Sequence, residues 1–275
     1  MSFDRLSIVL STHAAQFEAV AFKGDLEANL AKIAGWGYAG VELAIRDPSI
    51  VDSAKLESAL KNLDLVVPAI GTGQAWGEER LSLTSLDAKV RMAAVERLKH
   101  HLELAARLHA LVIIGLIRGV TPPGQSREQS MLYLVDGLLE CCQAASTFHV
   151  KLAVEPLNRY ETDLVHTVAE GMNLLGQIGS SSLGLLLDTF HMNIEERNID
   201  ESILQADQSI FHFHVADSNR CHPGAGHLDF KSILSTLRST GYQGWISGEF
   251  IPLPDADTAA ERNIEYLRHL QRLRK

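Results

Sequence analysis

Short apolar runs alternate along the chain with longer stretches in which apolar residues return every three to four positions. The first pattern marks buried strands and the second amphipathic helices, so the alternation predicts repeated βα units. Eight strands are expected, at residues 6–10, 40–43, 65–70, 111–115, 152–155, 183–188, 210–215 and 245–249. Helices are expected at 26–36, 53–63, 87–108, 128–148, 168–178, 201–206, 230–239 and 258–273. In the third helix Val90, Ala94, Leu98 and Leu102 recur four apart, a buried stripe that follows Asp87. Asp229 stands where it caps the helix beginning at Phe230. Gly35, Gly37 and Gly241 lie where a helix hands over to a strand, and left-handed C-caps are expected there.

Eight such units in 275 residues predict an α/β fold, a closed (β/α)8 TIM barrel, as a single domain spanning 1–275. A doubly wound open sheet is the alternative, and it usually carries a glycine fingerprint after its first strand. Ser11-Thr12-His13-Ala14 follow the first strand here, so the barrel is preferred. No Ser/Gly-rich linker or charge block divides the chain.

A net charge of −9 argues against a nucleic-acid backbone as the main partner, because that binding depends on clustered Lys and Arg. It leaves small substrates open, including anionic ones gripped by a local arginine. The three cysteines are few, and neighbours Cys141 and Cys142 point apart on a helix, leaving Cys221 without a disulfide partner. A reducing compartment follows. The N-terminus has no basic start with an extended apolar run, and no segment reaches the ~20 apolar residues that span a bilayer. A cytoplasmic protein with no membrane partner is expected.

Catalytic side chains of parallel barrels come from the C-terminal ends of the strands. Four consecutive strands end in Glu155, Asp188, His214 and Glu249, separated by 33, 26 and 35 residues, about one βα unit each. They should converge above the barrel mouth, where three carboxylates would repel one another unless a cation sits among them. Oxygen-rich donors with one imidazole suit Mn²⁺ or Mg²⁺, with Co²⁺ or Zn²⁺ as substitutes; a structural salt-bridge cluster is the weaker alternative. His212 shares a strand face with His214 and is read as a barrel-interior residue. His100, His101 and His109 fall on a helix and are assigned to a solvated face.

These strand ends resemble the ketose 3-epimerase family, the D-tagatose and D-psicose 3-epimerases of the xylose isomerase-like TIM barrels. The resemblance rests on Glu155-Pro156-Leu157-Asn158-Arg159-Tyr160-Glu161, on Leu187-Asp188-Thr189-Phe190-His191-Met192-Asn193 with Ile194-Glu195-Glu196, on Phe213-His214-Val215-Ala216-Asp217-Ser218-Asn219-Arg220, and on Gly248-Glu249-Phe250. It is strong over the C-terminal half and architectural before it. It implies metal ligands at Glu155, Asp188, His214 and Glu249, most readily for Mn²⁺, with Co²⁺ or Mg²⁺ as alternatives. It further implies that Glu155 and Glu249 form the acid/base pair, while Glu161, His191 and Arg220 hold the sugar's oxygens. A solvated Glu161, or an Arg220 paired with Asp217, is the plainer alternative.

The N-terminal half departs from the tagatose-type pattern at Ile70-Gly71-Thr72-Gly73-Gln74-Ala75-Trp76 and at Gly115-Leu116-Ile117-Arg118-Gly119. Arg118 is expected at the active face, gripping a carboxylate or phosphate of the substrate, or else paired with a surface acid. That whole-chain pattern is closer to a subgroup with keto-uronate epimerases such as 5-keto-L-gluconate epimerase. The implied reaction inverts C3 of a ketose or keto-uronate by proton exchange between two glutamates through a cis-enediolate. An aldose–ketose isomerase and an inosose-type dehydratase share such a site; a sugar-binding metal barrel is the non-enzyme alternative. A DNA-repair endonuclease would need further His ligands and a basic face, and the sequence offers neither. A small-molecule sugar is the expected partner, and self-association as a homo-oligomer, dimer or tetramer, is expected.

Overall fold

The computed structural model describes residues 5–272. The strands are β1 (Leu6–Ser11), β2 (Phe22–Lys23), β3 (Gly40–Ala44), β4 (Ala69–Gly71), β5 (Leu111–Ile114), β6 (Leu152–Val154), β7 (Leu183–Asp188), β8 (Ile210–Val215) and β9 (Ile246–Gly248). All pair in parallel. Eight run in sequence order and the ring closes where β9 pairs with β1; β2 only flanks β1. This closed (β/α)8 barrel is the architecture the alternation predicts.

The helices are α1 (Leu26–Gly35), α2 (Ser53–Asn62), α3 (Gly73–Glu79), α4 (Ala88–Leu108), α5 (Arg127–Phe148), α6 (Val168–Ile178), α7 (Thr189–Glu195), α8 (Ile199–Ala206), α9 (Phe230–Ser239) and α10 (Ala256–Arg272). Strand alternation sorts the core into two layers. Ile8, Leu10, Leu43, Ile114, Val154, Leu185 and Phe213 pack outward with the helices. Ala69, Ile113, Ala153 and Leu186 form a separate inner plug. The plug fills the barrel below the polar residues at the strand ends, so the chemistry sits on an apolar floor.

Side-chain caps fix many helix starts. Asp229 accepts the N–H groups of Lys231 and Ser232, Asp87 that of Lys89, and Asn198 that of Glu201. Gly37 and Gly241 take positive φ, as expected of C-caps, whereas Gly35 lies within α1. The strand expected at 65–70 pairs regularly only from Ala69, because Pro68 has no N–H to give a neighbour. β8 carries an irregularity opposite Leu185 and Leu186 that sends both His212 and His214 to the interior.

His101 is a correction. It is buried, with its ring nitrogens 2.7 Å and 2.8 Å from the carbonyl oxygens of Arg97 and Ile45, whereas His100 and His109 are exposed. It follows Leu98 by three positions, so the apolar stripe itself carries it to the buried face. The cysteines are unbonded, as expected. No helix among the described residues is long and apolar enough to cross a membrane.

Candidate metal centre and active site

Each strand-end residue is delivered by a local backbone feature. The Glu155 N–H continues the ladder by donating to Ile114, and Pro156 then ends the strand. Asp188 closes β7 and caps α7, its Oδ1 accepting the Phe190 N–H at 2.7 Å. That bond leaves Oδ2 free. His214 stands in β8, and Glu249 follows β9, its N–H donating to Val215 at 3.4 Å. The His214 Nδ1 lies 3.7 Å from Asp188 Oδ2, 3.8 Å from Glu249 Oε2 and 3.9 Å from Glu155 Oε1. One ligand atom from each of the four residues falls within 4.8 Å of the others.

Glu155 Oε1, Asp188 Oδ2 and His214 Nδ1 are all buried without a hydrogen-bond partner. Orphaned polar atoms of this kind are rare in folded proteins unless something else satisfies them. Three carboxylate oxygens and one imidazole nitrogen converging on a point fit a hard divalent cation. The electrostatics agree. Burial, then the neighbouring Glu249 charge, raises the Glu155 pKa well above the usual carboxylate range, and burial lifts Glu249 to about 7. Burial would raise Asp188 as well, but the imidazoles of His191 and His214 hold it at about 2. Burial pulls His214 down, yet the Glu42 and Asp188 carboxylates raise it well above an ordinary histidine. The cluster demands positive charge.

Glu42, in the middle of β3 and facing the barrel interior, escaped the sequence reading. It is 1% exposed, and its carboxylate accepts from His212 Nε2 at 2.8 Å and from His214 Nε2 at 2.9 Å. Fixing the Nε2–H on Glu42 turns Nδ1 toward the carboxylates, where it would offer its lone pair to a cation in place of a proton. His212 therefore serves from the barrel interior. The signal was the acid at the second inward position of β3, but one carboxylate without a repeat of the pattern did not stand out.

The same logic sets His191. The Asn158 Oδ1 accepts the Tyr160 N–H at 2.9 Å, so its Nδ2 is the group facing His191 Nδ1 at 2.7 Å and donates to it. The Asn158 N–H donates to the same nitrogen at 3.3 Å. Nδ1 is thus unprotonated and the proton resides on Nε2, which has no protein partner and lies 3.7 Å from Glu155 Oε1. Burial lowers the His191 pKa to about 4, so the ring is a neutral donor at physiological pH. Asn158 Nδ2 also reaches Glu161 Oε1 at 3.1 Å.

Arg220 sits in the loop after β8, with φ of 60°. The loop is tied by the Asp217 carboxylate, which accepts the N–H groups of Ser218, Gly224 and Leu228. The Arg220 side chain pairs with Glu161 at 2.7 Å, not with Asp217, and stacks 4.7 Å from the Phe190 ring centre. Its Nε and Nη2 have no protein acceptor. Glu161, His191, Arg220, Glu155, His214 and Glu249 all line one cavity of about 260 Å³.

Arg118 is the chief correction. It is fully buried behind the cavity wall, donating through Nη1 to the Glu155 carbonyl and through Nη2 to the Val165 carbonyl at 3.2 Å. Burial lowers its pKa to about 10, still cationic at neutral pH. It pairs with no surface acid either. Val165 holds φ of 57°, unusual for a β-branched residue, so Arg118 helps hold a strained corner behind the strand end that carries Glu155. A four-residue segment from β5 turns as a 3₁₀ helix at Leu116–Arg118, and that turn swings the side chain inward.

The sequence model of the xylose isomerase-like TIM barrel family matches residues 30–270, and the chain belongs to that family. It is 30% identical over 243 residues to the L-ribulose 3-epimerase of Mesorhizobium japonicum, covering 87% of this chain and 80% of that protein. It is 30% identical over 220 residues to the D-psicose 3-epimerase of Agrobacterium fabrum, covering 78% and 75%. Its structure is similar to that of a D-allulose 3-epimerase from Methylomonas sp. in complex with D-allulose, with a TM-score of 0.81 at 25% identity over 98% of this chain and 99% of that one. The chain is an enzyme of the isomerase class.

Two outcomes are expected from this geometry. Arg118→Met removes a donor from the Glu155 and Val165 carbonyls, of which Val165 keeps the Leu157 N–H, and should cost about 1–3 kcal/mol in urea unfolding, with KM for neutral and carboxylated ketoses shifted alike. A selective rise for the carboxylated sugar would return Arg118 to the substrate. In Asn158→Asp the new carboxylate accepts instead of donating, so ¹⁵N NMR should show the His191 proton moving from Nε2 to Nδ1, with weakened sugar binding. An unchanged tautomer would refute the assignment.

Proposed function

We propose that the protein is a divalent-metal-dependent epimerase that inverts C3 of a neutral ketose by proton exchange between Glu155 and Glu249. The carrying observation is geometric: Glu155 Oε1 and Glu249 Oε2 stand 3.9 Å and 3.8 Å from His214 Nδ1, two carboxylates converging on one point of the cavity. A carboxylate within reach of a reacting carbon can take up or return its proton. The two come from β6 and β9, with β7 and β8 between them in the ring, so they approach the cluster from opposite ends of a four-strand arc. That arrangement suits removal of a proton from one side of a carbon and return from the other.

Glu155, Asp188, His214 and Glu249 would hold the ion, Mn²⁺ by preference of the donor set, with Co²⁺ or Mg²⁺ as substitutes. When bound, it supplies Lewis-acid polarisation of the substrate carbonyl, worth several kcal/mol. The protein groups do the rest. One glutamate takes the C3 proton, the resulting cis-enediolate stays seated, and the other glutamate protonates the opposite side. The His191 Nε2–H and Arg220, whose Nη2 lies 3.9 Å from Glu249, would donate to substrate oxygens, and Glu161 keeps Arg220 in place.

A neutral ketose is favoured over a keto-uronate. Glu78, Glu155, Glu161 and Glu249 line the cavity against a single arginine, itself paired, and Arg118 is out of reach. An acidic lining repels a carboxylated sugar. Aldose–ketose isomerisation would use the same glutamates on a differently seated substrate, and the carbon that exchanges its proton separates the two readings. The named epimerase relatives support C3.

Incubation of the Mn²⁺-loaded protein with neutral ketoses in D₂O should place deuterium at C3 together with inversion, read by NMR. Glu155→Gln and Glu249→Gln should keep the fold while epimerisation falls by at least ~10²-fold. Label at C1 or C2 alone would establish an isomerase instead, and a glutamine variant working at the native rate would sink the two-carboxylate exchange.

A further inference from the structure

One wall of the cavity takes no part in the chemistry above. It is a face of α3, where Gly73, Gln74, Gly77 and Glu78 all border the cavity. Residues three and four apart share a helix face, so Gln74 and Glu78 stand side by side there. Gly77 keeps the wall low, since a Cβ added at that position would meet nothing within 4 Å. Glu78 is engaged by Arg46 at 2.9 Å and His13 at 3.3 Å. Gln74 is not so engaged.

Gln74 is 6% exposed, and its Nε2 donates to Ser11 Oγ at 2.9 Å. Ser11 has one hydroxyl proton and gives it to the His13 carbonyl at 2.8 Å. The serine oxygen can therefore only accept from Gln74, and the amide cannot be turned round. This lock leaves Gln74 Oε1 as the free end of the amide, buried and without a protein donor. Such an atom costs on the order of 1–3 kcal/mol when nothing satisfies it. Gln74 borders the cavity, and a buried acceptor kept in this state beside it is matched by a ligand that brings the donor.

We propose that Gln74 determines specificity by accepting a hydrogen bond from a hydroxyl on the part of the substrate remote from the reacting carbon. The proposal rests on the ketose reading above. Because Ser11 holds the amide nitrogen, Gln74 offers only a lone pair, so a hydroxyl is welcomed and a carboxylate meets oxygen against oxygen. The low wall at Gly73 and Gly77 gives the remote carbons room beside it.

The test measures calorimetric binding of ketohexoses and their 4-, 5- and 6-deoxy analogues to the Mn²⁺-loaded protein. The wild type should bind one analogue about tenfold more weakly than its parent sugar, the usual size of a lost buried hydrogen bond. In Gln74→Met, which keeps the volume and loses the acceptor, that gap should close to about twofold. Should the methionine variant not fold, Ser11→Ala frees the amide to rotate and should narrow the same gap. A wild type indifferent to every deoxy position, or variants that weaken parent and analogues alike, would overturn the proposal. Discriminating binding without C3 exchange in D₂O would defeat the epimerase reading and leave this one standing, while a protein that binds no ketohexose defeats both.

Discussion

Negative charge crowded into the barrel mouth is the constraint on which the rest of the structure depends. Glu155, Asp188 and Glu249 bring three carboxylates within reach of one another, with Glu42 directly behind His214. Such a cluster is unstable unless its charge is neutralised or its protons are shared. The protein meets that demand by uneven means. Asp188 stays ionised beside His214 with its Oδ1 on the Phe190 N–H, while burial raises Glu155 and Glu249 above the usual carboxylate range. In the proposed reading, this one electrostatic arrangement serves both as an ion site and as an acid/base pair.

Around it, hydrogen-bond chains fix which end of each polar group faces the cavity. Glu42 holds the His214 proton on Nε2, and Asn158, itself oriented by Tyr160, puts the His191 proton on the opposite side. Ser11 orients Gln74 in the same way. In each case a group outside the cavity decides whether a group inside it donates or accepts. Arg118 works at the level of backbone, anchoring the Glu155 carbonyl so that this strand end has a firm seat.

The barrel was legible because its strands are continuous apolar runs and its helices carry clean stripes, a contrast set by burial on both faces of a parallel sheet. The residues of the metal cluster were legible for a related reason, since they close successive strands at a spacing of one βα unit. What stayed hidden depends on pairing across the ring. Glu42 meets His214 across 172 residues, and the role of Asn158 needs the position of a ring 33 residues away. Arg118 was misplaced because a short 3₁₀ turn reverses its direction, and no pattern in Leu116-Ile117-Arg118-Gly119 announces that turn. His101 was misplaced although its stripe was visible, because residue type was weighed above position.

The central claim is that the four strand-end residues form a single cation site. Equilibrium dialysis of metal-stripped protein against Mn²⁺, with the free ion followed by EPR, tests it directly. One ion per chain is predicted in the wild type, with that binding abolished in Asp188→Asn, whose side chain offers no full charge, and weakened in Glu42→Gln, which disturbs only the orientation of His214. Binding of equal strength and stoichiometry in the Asp188→Asn protein would contradict the account.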